Sequence, residues 1–219
     1  MPSIPRGKFI VLEGLDRSGK STQTALLTTR LRAQNHTVTH LRFPDRTTPT
    51  GTLISAYLTG ANQLSDHAIH LLFAANRWEK AAEIEELIAR GEWVVADRYY
   101  YSGVVYSAAK GVEGLGVEWC RQVEVGLPRP DVVVVLDAGE DVVEGRGGFG
   151  EERYEEKGLQ GRVREGFRML GGRGEGEDLV WVDAKGGVEE VEIRVWEVVE
   201  GAARKINESG RGLRRVGAW

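Results

Sequence analysis

Apolar residues in this chain come in two spacings, and the two alternate from one end to the other. "KFIVLE" (residues 8–13), "EWVVAD" (92–97), "DVVVVLD" (131–137) and "DLVWVD" (178–183) are short, continuous and rich in β-branched residues, and a weaker run, "HTVTHLRF", covers residues 36–43. A run that is apolar at consecutive positions, rather than at every second one, suits a strand buried on both faces. Between these runs, residues 22–33, 66–90, 117–125, 162–169 and 188–203 carry apolar side chains at helical spacing. This alternation predicts an α/β fold in which about five parallel strands are joined by right-handed helical crossovers.

Two segments break the pattern. Residues 144–162, "EGRGGFGEERYEEKGLQGR", are rich in glycine and in charge of both signs, which suits either a solvated loop or a mobile lid. Residues 207–219, "NESGRGLRRVGAW", read as a frayed tail. No internal repeat is visible, and 219 residues suffice for a single domain with a substantial core, so residues 1–219 are taken as one unit.

Composition narrows the function. With 41% hydrophobic and 28% charged residues the chain is ordinary for a globular protein, and a net charge of −4 argues against a general nucleic-acid binder. Any anionic ligand must be met by locally clustered arginines. The single cysteine, Cys120, rules out an intrachain disulfide and suits a buried thiol in a reducing compartment. No apolar run approaches the roughly 20 residues of a membrane span, and residues 1–8 lack the apolar core of a signal peptide. The expected location is the cytoplasm, with the nucleus also compatible.

The chemistry begins at Gly14. "GLDRSGKS", residues 14–21, matches G-x-x-x-x-G-K-[ST], with an apolar strand before it and a helical pattern after it. Glycines let such a loop curl its N–H groups inward, and the following helix adds the positive end of its dipole. Lys20 is expected on the terminal phosphates and the Ser21 hydroxyl on Mg²⁺, so the predicted ligand is ATP. Phosphate binding alone does not name the reaction. A guanine-reading N-K-x-D motif is absent, which speaks against a switch GTPase. "LRFPDR" (41–46) and "ADRYYYSG" (96–103) place Arg42, Arg46, Asp97 and Arg98 at the ends of two predicted strands, where ligands of open parallel sheets bind. That suits a kinase with a second, anionic substrate, and it leaves open a nucleotide-binding protein without activity.

"EGLDRSGKST", "LRFPDR", "HLLFAANRWE", "DRYYYSG", "GLPRPD" and "GFGEERYE" stand in the order and spacing found in thymidylate kinases, and the likeness runs over residues 8–196. The arginine inside the phosphate loop resembles the eukaryotic type, and "YSGVVYSAAKG" and "EWCRQVEVGLPRPD" are most similar to fungal members. One departure is "QVEVGLP", where the family usually has proline and aspartate after the glutamine; Val123 and Glu124 bear only on a local turn in this reading.

The resemblance implies the P-loop nucleoside monophosphate kinase fold, a five-stranded parallel sheet flanked by helices with a small lid over about 144–162. It implies transfer of the ATP γ-phosphoryl group to thymidine 5′-monophosphate with Mg²⁺, on the path to dTTP. Gly14, Asp16, Arg17, Ser18, Gly19, Lys20, Ser21 and Thr22 would hold ATP, with Arg146 against adenine. Arg17, Lys20, Asp97 and Arg98 would be catalytic, and Asp97 would join Ser21 at the metal through water. Arg46 and Arg98 would clamp the acceptor phosphate, since planar bidentate donors suit a doubly charged group. Phe73 would stack on thymine and Arg77, at i+4 on the same helix face, would donate to its O4. Asp16 would accept from the sugar 3′-OH and help place Arg17. Tyr106 would disfavour a ribose 2′-OH, Tyr154 and Gln160 would close over the sugar, and Phe43 and Ser102 complete the acceptor pocket. No general base is expected, because phosphoryl transfer rests on positioning and charge. Apolar residues spread around most of the 66–79 helix, together with the resemblance, imply a homodimer through this region.

Overall fold

The computed structural model describes residues 5–139, 153, 154, 156–172, 174 and 176–217. Its main sheet contains the predicted strands: β1 (Phe9–Gly14), β2 (Val38–Arg42), β3 (Trp93–Asp97), β5 (Val132–Asp137) and β6 (Leu179–Asp183), in the order β2-β3-β1-β5-β6 with every neighbouring pair parallel. The chain reverses its direction of strand addition at β1, so the loop after β1 opens at the sheet's switch point.

The continuous apolar runs are explained by two layers. Phe9 and Val11 of β1 pack with Val94, Ala96, Val133 and Val135 on one face, and Ile10 and Leu12 pack with Val95, Val132, Val134 and Leu136 on the other. The second face is covered by α1 (Lys20–Ala33) and α8 (Val188–Ser209), through Leu27, Leu31, Val191, Val195 and Val199. The first is covered by α4 (Ala81–Ala89), α5 (Tyr100–Ala108), α6 (Val117–Gln122) and α7 (Lys157–Gly171). A third apolar group, Ile54, Tyr57, Leu58 and Ile69, joins α2 (Pro49–Leu58) to α3 (Asp66–Trp78) beside the mouth of the crevice. Cys120 is wholly buried, and burial pushes its thiol up to about 12.

Several boundaries depart from the sequence expectation. The single helix expected over 66–90 is two, α3 and α4, broken at Glu79 and Lys80 with no glycine or proline to mark the break. Tertiary packing imposes it: α3 lies against α2 and α5, whereas α4 turns onto β3. The helix α2 was unanticipated, although Thr48, whose hydroxyl accepts from the Gly51 N–H, and Pro49 in the first turn are a readable start signal. Helix α5 hides in aromatic and β-branched residues that favour strands.

The carboxy-terminal segment does not fray as expected. The last helix runs on to Ser209, and β7 (Arg214–Arg215) pairs antiparallel with β4 (Pro128–Arg129). Val216, 2% exposed, donates to Leu127 O at 2.8 Å and accepts from Gly126 N at 2.8 Å. Arg129 and Arg214 both pair with the buried Asp178, one on each carboxylate oxygen. Burial of Val216 and this shared carboxylate outweigh the chain entropy that a polar, glycine-containing tail would otherwise keep. Val216→Ala removes two buried methyl groups and is expected to lower stability by about 2 kcal/mol, read as a drop in the urea midpoint; a midpoint equal to that of the wild type would mean the segment is loose in solution.

Candidate active site

The loop after β1 is shaped by its glycines. Gly14 has φ 139°, and a side chain there would meet Leu136 O at 2.6 Å and Ser18 Oγ at 2.9 Å; Gly19 has φ 98° and begins α1. Helix α1 starts with neither a side-chain cap nor an acidic residue in its first turn, which keeps its N-terminal N–H groups suited to an anion. Lys20 is buried and donates to Leu15 O at 2.5 Å. Burial and the adjacent Arg98 pull its pKa down to about 7 despite the nearby carboxylates of Asp16, Asp97 and Glu13. Arg17 holds a left-handed backbone, φ 61°, a costly conformation for a side chain of this size, and it sits partly exposed at the crest of the loop.

The other half of the site comes from the end of β3. Asp97 closes the strand, and its Oδ2 accepts from Ser21 Oγ at 2.5 Å. Arg98 also has positive φ, 69°, and this turn swings its guanidinium back across the loop. It donates to Gly14 O at 3.0 Å and Ser102 Oγ at 2.8 Å, pairs with Asp16, and lies over the Tyr106 ring. Asp16 also accepts from Tyr106 Oη at 3.0 Å and from Gln160 Nε2 at 2.7 Å, while its own N–H donates to Gln160 Oε1 at 3.2 Å. Burial opposes the charge on Asp16, but Arg98, Lys20 and these hydrogen bonds prevail and hold its carboxyl below the usual carboxylate range.

One crevice runs from this cluster towards α3. Asp16, Phe43, Arg46, Phe73, Arg77, Arg98, Ser102, Tyr106 and Tyr154 all line it, so the acceptor-side residues expected from the sequence come together, with Gln160 reaching in through Asp16. Tyr154 packs between Phe73 and Tyr106, its ring centroid 6.4 and 5.8 Å from theirs. Thr22 lies exposed on the first turn of α1. Arg146 and residues 144–152 of the expected lid lie outside the described residues.

The structure also brings in residues the sequence reading passed over. Leu58, Tyr99, Gly103 and Ser107 line the crevice as well, beside Arg42, which the strand-end cluster had already marked. Glu13, with no exposed surface, accepts from the N–H groups of Tyr99 and Ser102 at 2.9 and 3.0 Å and from Ser102 Oγ at 2.5 Å. Its signal was in plain view: a glutamate ending an otherwise apolar strand, immediately before the loop. Glu124 is more than the local turn feature assumed above. It is fully buried and grips Arg77 through Nε, at 2.9 Å, and through Nη2, in a two-pronged ion pair. Burial pushes the Glu124 carboxyl up, against the pull of Arg77.

A metal could be held at the contact of Ser21 and Asp97. One hydroxyl and one carboxylate beside a phosphate cradle fit Mg²⁺, which takes few protein ligands and completes its shell from phosphates and water. Among the described residues no cluster of three or more histidine, cysteine, aspartate or glutamate side chains could hold a metal, and no helix is long and apolar enough to cross a membrane.

Comparison with known proteins agrees with this geometry. The sequence profile of the thymidylate kinase family matches residues 12–195. A thymidylate kinase of Arabidopsis thaliana is 46% identical over 206 residues, which cover 93% of this chain and 75% of that protein. The Homo sapiens thymidylate kinase is 42% identical over 209 residues, covering 94% of this chain and 96% of the other. The solved structure of thymidylate kinase from Candida albicans superposes with a TM-score of 0.83 at 35% identity, covering 96% of this chain and 98% of that one. With a phosphate loop and an arginine-flanked crevice facing one another, and with likeness of this degree along nearly its whole length, the chain belongs to the thymidylate kinase family, enzymes that phosphorylate thymidine 5′-monophosphate to the diphosphate with ATP.

Proposed function

We propose that this chain, acting as one kinase domain in the cytoplasm or nucleus, transfers the γ-phosphoryl group of ATP to thymidine 5′-monophosphate with the division of labour that follows. The observation that carries it is the single crevice in which Asp16, Arg98, Phe73 and Arg77 meet beside Lys20. The ATP phosphates lie in the loop of residues 14–22, against Lys20 and the N-terminus of α1, with Arg146 towards adenine. The acceptor phosphate lies between Arg46 and Arg98. Thymine stacks on Phe73 with its O4 towards Arg77. Asp16, Tyr106, Tyr154 and Gln160 enclose the sugar, and Phe43 and Ser102 shape the wall.

Mg²⁺, held by Ser21 and through water by Asp97, supplies charge neutralisation on the donor phosphates. The residues do the rest: Lys20, Arg17 and Arg98 gather positive charge where charge spreads over the transferring group, and the loop aligns donor and acceptor. Small molecules are the only partners in this reading apart from a second copy of the chain; nucleic acid and membrane have no role. Leu71, Ala75 and Trp78 recur at i, i+4 and i+7 on α3, and Leu71 and Trp78 are 46% and 41% exposed, with Leu53 of α2 at 46%. That apolar stripe is the face assigned to a homodimer.

A coupled assay with ATP, Mg²⁺ and a panel of nucleoside monophosphates is expected to show thymidine 5′-monophosphate as the best acceptor; turnover of none of them, or a preference for another base, would overturn the reading. Arg17 is expected to act only in the transition state. Arg17→Gly should lower kcat at least about a hundredfold, a floor under the 10³–10⁵ range of arginine fingers, and leave both binding constants within a few fold. Near-normal kcat with a raised KM for ATP would reduce Arg17 to a binding residue. Light scattering at micromolar concentration should give the mass of a dimer, and a monomer mass removes that assignment.

A further inference from the structure

Base reading needs more than a donor, and the crevice contains a second, differently built polar group. Arg77 supplies donors only. Its guanidinium lies flat on the backbone of α5, so close that a side chain at Gly103 would meet Nη2 at 2.6 Å and Cζ at 2.9 Å. One helical turn beyond Gly103 on the same helix, Ser107 lines the same crevice. A serine hydroxyl ordinarily rotates to donate or accept as its ligand requires. Here that freedom is removed by His70, a histidine of α3 with no exposed surface.

His70 Nε2 lies 2.8 Å from Cys120 O, and a carbonyl can only accept, so Nε2 carries a proton. Burial, with Arg77 nearby, lowers the His70 pKa to about 4 even though the Cys120 and Gly103 carbonyls favour the charged ring. Arg77, held by Glu124, and Lys110, paired with Asp66, are the charged groups that act on His70, and both disfavour its charge. The imidazole is therefore neutral at physiological pH and has one proton, already placed. Nδ1 is left with its lone pair, and Ser107 Oγ, 2.8 Å away, must donate to it. The Ser107 hydroxyl proton is thus directed into the protein, and its oxygen turns lone pairs towards the crevice.

The geometry points to His70 and Ser107 as the second half of base selection: Ser107 Oγ accepts the N3–H of the pyrimidine while Arg77 donates to O4, and His70 is the positioning residue that fixes the direction of the hydroxyl. This rests on the thymidylate reading above. Thymine presents an acceptor at O4 and a donor at N3, so both meet complements. Cytosine presents a donor at the 4-position and an acceptor at N3, so both are opposed. A site built to hydrogen-bond its substrate rejects an analogue strongly when buried polar groups are left facing like groups.

The test compares dTMP and dCMP at saturating ATP, with radiolabelled phosphate so that slow dCMP turnover is counted. Ser107→Ala is expected to narrow the dTMP to dCMP ratio of kcat/KM by about tenfold, one net hydrogen bond's worth, through KM for the monophosphate and with KM for ATP unmoved. Ser107→Thr, which keeps the hydroxyl, should restore most of the ratio. A ratio within twofold of wild type in Ser107→Ala overturns the assignment. His70→Phe should narrow the ratio likewise by freeing the hydroxyl to donate. Because that change strips a partner from a buried carbonyl, wild-type ¹⁵N-histidine spectra provide a check that needs no variant to fold. His70 is expected as the neutral Nε2–H tautomer down to about pH 5, and an Nδ1–H tautomer or a charged ring at pH 7 overturns the proposal. Failure of wild-type protein to phosphorylate dTMP at all would sink the parent reading instead, a separate outcome from an unchanged ratio.

Discussion

A carboxylate with no exposed surface joins the two halves of this site. Glu13, next to last in β1, accepts three hydrogen bonds from Tyr99 and Ser102 at the start of α5, so the strand that launches the phosphate loop and the helix that carries Ser102, Tyr106 and Ser107 are tied at one point. Burial pushes its pKa up, with Arg98 and the three hydrogen bonds pulling the other way. Removing one partner of a buried charged cluster typically costs about 3–5 kcal/mol, far more than a surface pair contributes. The donor loop and the acceptor wall are therefore held as one body, and positioning is what a phosphoryl transfer catalyst most needs from its protein.

Charge in the crevice is arranged on that frame. The chain as a whole is acidic, yet burial and the neighbouring Arg98 disfavour the charge on Lys20 while Asp16, Asp97 and Glu13 support it, and burial of Arg98 is outweighed by Tyr106 and the same three carboxylates. Cations compressed in this way bind an anion more strongly than dispersed surface lysines do, because the cost of bringing them together was met on folding. Net charge thus says little about which ligand such a protein takes, whereas local clustering says a great deal.

The sheet and the phosphate loop were legible because their signals are local. Five β-branched runs, a glycine spacing and a lysine-serine pair need no tertiary information, and each stands where expected. Arg46 and Arg98 were legible as charges at strand ends, but the aromatic residues of the acceptor side were legible only through the resemblance, since nothing in the spacing of Phe43, Phe73 and Tyr106 says that they share a crevice. What escaped depends on contacts across the fold. Helix α5 forms from residues that prefer strands because its tyrosines are buried among β1, α4 and α7. The break between α3 and α4 has no breaker residue. Glu124 looked like a turn residue until its burial against Arg77, 47 positions earlier, became visible.

The pairing of β7 with β4 reaches beyond the chain end. Gly126 and Leu127, which exchange hydrogen bonds with Val216, lie two and three residues after Glu124, and Gly126 lies against the Trp78 ring beside Arg77. The terminal strand is thus a brace for the turn that grips Arg77. A fused domain, purification tag or surface tether attached there would load that brace, and with it the turn that holds the buried Arg77–Glu124 ion pair.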